Sequence, residues 1–352
     1  MDQAEPRVVP GTGPARPAPH RPDGHVPRGG PAREVRWPDG VSDVVVAFIG
    51  VQGADRGQVA EAAALVRARL TGPHGPTTVE RSRTAAPDAP VEEVVACYWT
   101  DPAAHAAWWA SVADWWAGLP VDGPVGHWHE TVTTPVTRME TMYSSTQAAG
   151  PSTLAPVGDT DLHDYPHAAR DRIEDVDLAG ATAPLRTDLP VGGSPRGRRV
   201  RLAAPSPAGL CLIRTAQDWA LAPQDQLTAY REQVEPTYRA AVRHLSTAPA
   251  EDGCLAIRLV EDLGEDGGEA PSSAVCAWWR GLADLERWAH HHPTHHAILG
   301  AFWTALVEPN GPELRLRLWH EVRVLDAGGL TAEWVNCAPG TGLLPAGDAL
   351  AG

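Results

Sequence analysis

Two stretches far apart in this chain carry one pattern. VACYWTDPAAHAAWW, from Val95, aligns without a gap on VCAWWRGLADLERWA, from Val275, so that Val95 meets Val275, Trp99 meets Trp279 and Trp108 meets Trp288. Self-similarity at a fixed displacement means one supersecondary unit built twice, which removes most alternative architectures. The same order of elements surrounds each copy. In the first, an apolar run Val44–Ile49 predicts a buried strand, residues 58–70 a helix, Val94–Trp99 a strand, and Pro102 to about Trp116 a proline-started helix. In the second, Leu210–Thr215 predicts a strand and residues 224–245 a long helix, followed by strands near Cys254–Leu259 and Ala274–Trp279 and a helix from Leu282 onward. The expected fold is α+β: two ferredoxin-like halves that pair through their sheets, with helices on the outer faces.

This organisation divides the chain into residues 39–143 as the first half and 198–352 as the second. Residues 1–38, rich in Pro, Gly, Ala and Arg without periodicity, are expected to be a disordered tail. Residues 144–197, rich in Gly, Pro and Asp, are expected to be an irregular insertion of the kind that serves as a lid.

Charge and cysteine usage narrow the function. Against 44 Asp+Glu the chain has 29 Lys+Arg, a formal charge of −15, which repels phosphate backbones and anionic lipid. Neither nucleic acid nor a membrane is an expected partner. No apolar run approaches transmembrane length and the opening residues carry no signal-peptide pattern, so a cytoplasmic location is expected. The five cysteines are scattered and mostly sit in apolar runs, and no C-x-x-C occurs, which argues against Cys-rich zinc sites and covalently attached c-type haem. The 14 Trp against 2 Phe fit either a tryptophan-lined pocket or drift toward GC-rich codons.

Two histidines stand out. Carrying the repeat alignment along the second helix puts His295 opposite Trp115, so an imidazole replaces an indole at an otherwise apolar site, and an imidazole there adds a metal ligand. His295 lies in HHHPTHH, where His291/His295 and His292/His296 also have the i, i+4 spacing of a helical zinc pair. The H-E-x-x-H arrangement that would complete a zinc enzyme is absent, and a solvated His-rich helix end is the plain alternative. In LRLRLWHEVRVLD, alternation puts Leu314, Leu316, Leu318, His320, Val322 and Val324 on one face, with Arg315, Arg317, Glu321 and Arg323 on the other, so His320 points into the core. A lone core histidine is commonly structural, needing one good hydrogen-bond partner. Its repeat mate in Trp128-His129-Glu130 leaves two candidates for the same role.

These segments resemble the haem-containing aldoxime dehydratases. The likeness is densest in LERWAHHHPTHHAIL, LRLRLWHEVRVLD and EWVNCAPGTGLL, and extends through VVVAFIGVQ, VVACYW, RMETMY and LIRTAQDW, covering roughly residues 43–345. The resemblance implies duplicated ferredoxin-like halves of the dimeric α/β-barrel kind enclosing a haem pocket. It further implies haem b, ferrous in the active state, and dehydration of an aldoxime substrate to a nitrile and water. Carried over by motif, His295 is the axial ligand of the iron and His320 the distal acid. Arg172 in AARDRIE, with Arg170 as the alternative, Glu140 in RMETMY and Thr215 in IRTAQDW complete the distal set. The family has serine where this chain has Thr215; threonine keeps the hydroxyl but adds a methyl group, narrowing the pocket. Two rival readings remain, a haem enzyme on the same scaffold acting on another N–O or N–N substrate and a non-catalytic haem carrier or sensor. A homodimer is left open as the assembly.

Overall fold

β-Branched runs buried on both faces make the interior strands of covered sheets. In the computed structural model of the chain, Val44–Ile49 forms the centre of such a strand, Asp43–Gly53, with nearly every residue buried. The structure describes residues 8–9, 18–28, 30–85, 90–173, 180–181, 183–247 and 249–344.

In chain order, β1 (Val8–Val9) and β2 (Ala32–Val35) precede β3 (Asp43–Gly53), α1 (Arg56–Ala68), β4 (Thr78–Thr84), β5 (Val91–Trp99), α2 (Pro102–Ala117) and β6 (Val125–Pro135). Next come β7 (Met139–Tyr143), β8 (Val157–Thr160), α3 (Ala168–Arg172) and β9 (Arg199–Arg201). The second half comprises β10 (Cys211–Asp218), α4 (Gln224–Ala229), α5 (Glu235–Thr247), α6 (Pro249–Asp252), β11 (Cys254–Leu263), β12 (Glu269–Trp279), α7 (Leu282–His291), α8 (Pro293–Phe302), α9 (Glu308–Asn310) and β13 (Arg317–Val324), followed by the last described strand, β14 (Leu330–Val335).

The strands join in one sheet, ordered β1-β8-β2-β7-β13-β10-β12-β11-β4-β5-β3-β6-β14-β9. The runs β13-β10-β12-β11 and β6-β3-β5-β4 have the same internal order and meet at the β11–β4 pair. Repeat mates keep their contacts. Trp99 packs on Trp108 at 5.1 Å and Trp279 on Trp288 at 5.7 Å, with interplanar angles of 40° and 41°.

Each sheet half is covered by its own helices. Val59, Val66, Trp108 and Trp116 of α1 and α2 pack on β3 and β5, whereas Leu245, Leu282 and Leu285 of α5 and α7 pack on β10, β12 and β13. A third core unites the two halves, with Phe48, Tyr98 and Trp128 of one packed with Leu212, Trp278 and Leu325 of the other.

Three expectations need correction. First, the segment before residue 39 is not a disordered tail throughout: β2 pairs with β7 and β8, His20 Nδ1 lies 2.7 Å from Asp171, and Arg28 donates to Asp164 at 2.9 Å. The sequence signal was compositional, and these residues draw their order from partners far along the chain. Most of residues 1–17 lies outside the described residues. Second, the insertion 144–197 contributes β8 and α3 and is not wholly irregular. Third, the two halves exchange strands. β7, which falls within residues 39–143, pairs with β13, and β14, which falls within 198–352, pairs with β6. The charged face of LRLRLWHEVRVLD is itself buried where β13 crosses the other half. Glu321 and Arg323 are 1% and 0% exposed, joined at 2.8 Å, and Tyr98 of the first half donates to Glu321 at 2.5 Å.

Candidate active site

Glu140 lies on β7, a strand whose neighbour is β13, and the register sets Glu140 beside Val322 and Met142 beside His320. Residues two apart on one strand share a face, so Glu140 and His320 rise from the same side of the sheet. Their side chains meet, with His320 Nε2 2.9 Å from Glu140 Oε1. On the opposite edge of β13, His320 is the cross-strand partner of Thr215 on β10, a pairing that brings Cβ atoms to within about 5.5 Å.

Arg172 comes from α3. Its Nε donates to Glu140 Oε2 at 3.0 Å, Nη2 lies 3.0 Å from the same oxygen, and Nη1 donates to the carbonyl of Leu162. Arg170 instead turns to Glu286, its Nε 2.6 Å away. Of the two arginines that the sequence left open, Arg172 is therefore the one beside His320 and Glu140. Asp171 anchors the helix that delivers it, accepting from Tyr165 at 2.9 Å and lying 2.7 Å from His20 Nδ1. Nothing in AARDRIE or the N-terminal composition signals that anchor.

The electrostatics follow from this packing. Burial alone would raise the Glu140 carboxyl, but the Arg172 charge, then that of His320 and the hydrogen bonds from both, overcome it and hold the group down at about 2. Glu140 is thus a fixed anion shared between a permanent cation and an imidazole.

The second W-H-E histidine differs. His129 is sandwiched by Trp109 at 4.6 Å and Trp116 at 5.1 Å, and burial pushes its imidazole down to about 4. The carboxylate opposite it, Glu333 on β14, accepts from Trp116 and from Arg199 and Arg201. His129 and His320 occupy matching positions, but only the first is sealed under indoles. Its side chain is 6% exposed as a residue, whereas 21% of the His320 side chain is open.

His295 sits on α8, which does not continue α7. The chain is extended at His292, φ −82° and ψ 133°, and Pro293 starts the new helix. The i, i+4 zinc pairs are thereby broken, because His291 and His292 precede the break while His295 and His296 follow it. The His295 ring packs edge-on against Trp288 at 4.7 Å, and Trp288 borders the apolar layer that contains Val275 and Val322. Residues 213 and 215 of β10, and 320 and 322 of β13, face that same layer by alternation. Burial pushes the His295 imidazole down to about 4, opposed by the carbonyl of Ala289, and its Nδ1 is buried without a well-formed hydrogen bond. A neutral ring with a free lone pair beside an apolar layer can hold a metal centre. The residues of α8 that follow are strongly apolar yet none is fully buried, and Leu299 is 52% exposed.

The chain is similar to known proteins over most of its length. The sequence profile of the haem-containing dehydratases matches residues 47–343. The chain is 33% identical to a phenylacetaldoxime dehydratase of Bacillus sp. (strain OxB-1), covering 92% of this chain and 93% of the relative. It is 32% identical to an aliphatic aldoxime dehydratase of Pseudomonas chlororaphis, covering 86% and 87% respectively. Two crystal structures superpose along its length. One is an aldoxime dehydratase with TM-score 0.83 and 30% identity, covering 94% of this chain and 95% of that one. The other is an aldoxime dehydratase in complex with butyraldoxime, with TM-score 0.84 and 28% identity, covering 94% and 93%. With a family profile spanning most of its length and relatives aligned nearly end to end, this chain belongs to the haem-containing dehydratase family.

Proposed function

We propose that the protein dehydrates an aldoxime to a nitrile and water, using haem b held through His295. The observation that carries this reading is the Glu140 carboxylate clamped between Arg172 and His320, with Thr215 across the strand. The residues fit the cofactor: His295 keeps a neutral ring with an unpartnered nitrogen, and α8 leaves apolar side chains only partly covered, as a flat hydrophobic group beside it requires. When bound in the ferrous state, haem supplies a coordination site for the oxime nitrogen and electron density that weakens the N–O bond.

The rest of the chemistry belongs to the chain. Hydroxide is a poor leaving group and must be protonated as N–O breaks. His320 is the donor: Glu140 engages Nε2, so the proton reaching the oxime oxygen comes from Nδ1. The same nitrogen then takes the proton lost from the oxime carbon. One proton is given and one received, so His320 ends in its starting form and R–CH=N–OH yields R–C≡N and water. Glu140 stabilises the imidazolium before transfer. Arg172 and the Thr215 hydroxyl orient the oxime oxygen and stabilise charge there. The extra methyl of Thr215 takes volume beside His320 and favours slim oximes.

The two runs of strand order read as ferredoxin-like copies of one unit, with the haem in the second beneath α8 and residues 144–173 as a strap that carries Arg172 over it. Anaerobic incubation of the dithionite-reduced holoenzyme with aliphatic and aryl aldoximes, with nitrile measured by mass spectrometry, tests the reaction. Nitrile formation is expected. A haem-loaded protein that forms none would be a carrier or act on another N–O substrate.

A further inference from the structure

The histidine run does more than supply His295. Where the chain turns between α7 and α8, His292 lies against α5, its ring 4.5 Å from that of His244, and His244 Nε2 is 2.7 Å from Asp252 Oδ2. One ligand atom from each of the three residues falls within 4.8 Å of the other two. We propose that His244, Asp252 and His292 bind a divalent metal ion of borderline softness, with Zn2+ as its representative, at a site separate from the haem.

The donor set is two imidazoles and one carboxylate on separate elements, half-exposed, so that water can complete a tetrahedron. His292 at present caps α8, its Nδ1 accepting from Thr294 N, and a metal on Nε2 would place the ring proton on Nδ1 instead. Its Nδ1 is 2.7 Å from Thr294 Oγ1, which leaves Nε2 to coordinate while Nδ1–H donates to that hydroxyl. The present 3.3 Å contact from Thr294 N to Nδ1 would yield. Donors on one zinc ion lie about 3.3 Å apart for bonds near 2.0 Å, so the His244–Asp252 contact opens slightly and the other two close.

Charge separates this cluster from the other one of similar composition, His167, Glu286 and His290. There the guanidinium of Arg170 already occupies the carboxylate, at 2.6 Å from Nε and 2.5 Å from Nη2, and a dication would be placed beside a fixed cation. At Asp252 the nearby Arg287 donates to the backbone carbonyl and pairs its charge with Asp284 at 2.5 Å, so the carboxylate keeps its own charge for a metal. Because His292 caps α8 only three residues before His295, an ion here would tie the start of that helix to α5 and α6.

The test is zinc binding by EDTA-washed, haem-loaded protein, titrated with ZnCl2 alone, desalted and assayed for metal. One equivalent is expected in the wild type, with zinc-edge absorption showing two imidazoles and light-atom ligands. Asp252→Asn and His244→Asn should each weaken binding by about 100-fold or more, and Thr294→Ala by roughly 10-fold, since a lost ligand costs more than a lost outer partner. His291→Asn and His167→Asn should bind as the wild type does. An unchanged Soret band will show that the variants fold and hold haem. Absence of retained zinc in the wild type overturns the proposal, and so does stoichiometric binding that survives both Asp252→Asn and His244→Asn.

Discussion

At the scale of single residues, the two W-H-E histidines form an internal experiment. His320→Ala removes the proposed proton donor but not the proposed haem ligand, so the variant should keep its haem and still bind aldoxime to reduced protein. Turnover should fall by about 10²-fold or more, the usual cost of a positioned general acid. His129→Ala should leave turnover intact and cost roughly 1–3 kcal/mol of stability, because it opens a hole between Trp109 and Trp116. Denaturant titration alongside nitrile assays checks both; a dead His129→Ala with an active His320→Ala would move the site to the first half. Alternation alone shows that the His320 imidazole points inward, but not what lies above it. The indoles over His129 come from α2, and only packing reveals that the same helix position leaves His320 open. Arg172 was harder still, since AARDRIE has no periodicity that separates it from Arg170.

At the scale of elements, the break at Pro293 sets the start of the helix that carries His295, the proposed haem ligand. Proline has no N–H to give the Ala289 carbonyl, which is thereby left to oppose the depression of the His295 ring. His295→Ala should yield folded protein with little haem, and Pro293→Ala, by letting α7 run on, should speed haem transfer to apomyoglobin several-fold with a shifted Soret band. Wild-type transfer rates in Pro293→Ala would show that the break is incidental. The proline was visible in HHHPTHH, yet the repeat alignment passes through it as though one helix continued, since α2 in the other copy has no such break. Strand boundaries were clearer. The runs around Val44, Val94, Leu210 and Ala274 announce themselves by continuous apolar character, and the helices between them by their period. The order of Ala32–Val35 was illegible, because its partners are β7 and β8, more than a hundred residues away.

At the scale of the whole molecule, stability should fall in two stages as pH drops. His127 and His129 are held down at about 4 by burial, well below the unfolded value, so the unfolded chain takes up protons first and stability is lost from about pH 6.5 to 4. Glu140, held at about 2, contributes stability that is complete above its unfolded value near 4.5 and disappears as pH falls toward 2. Urea midpoints against pH should show both limbs, and Glu140→Gln should flatten the lower one. The seam between halves makes a separate claim. Arg323→Met removes the guanidinium 2.8 Å from the buried Glu321 carboxylate, leaving Tyr98 and the cross-strand Arg214, and should cost about 3–5 kcal/mol, with most of it regained in Glu321→Gln/Arg323→Met. That seam is not legible in LRLRLWHEVRVLD, where alternation separates charged from apolar residues without showing that the other half of the sheet covers the charged ones.

The strand exchange sets an order of events during synthesis. Glu140 leaves the ribosome with the first copy, yet its neighbour β13 is among the last strands made, and β6 must wait for β14. Neither half can therefore finish on its own: the nascent first half presents three open strand edges, at β4, β6 and β7, and the last two stay open until nearly the whole chain has emerged. Such edges are templates for the wrong neighbour. Chaperone demand during translation, and poor recovery when either copy is expressed alone, follow from that topology.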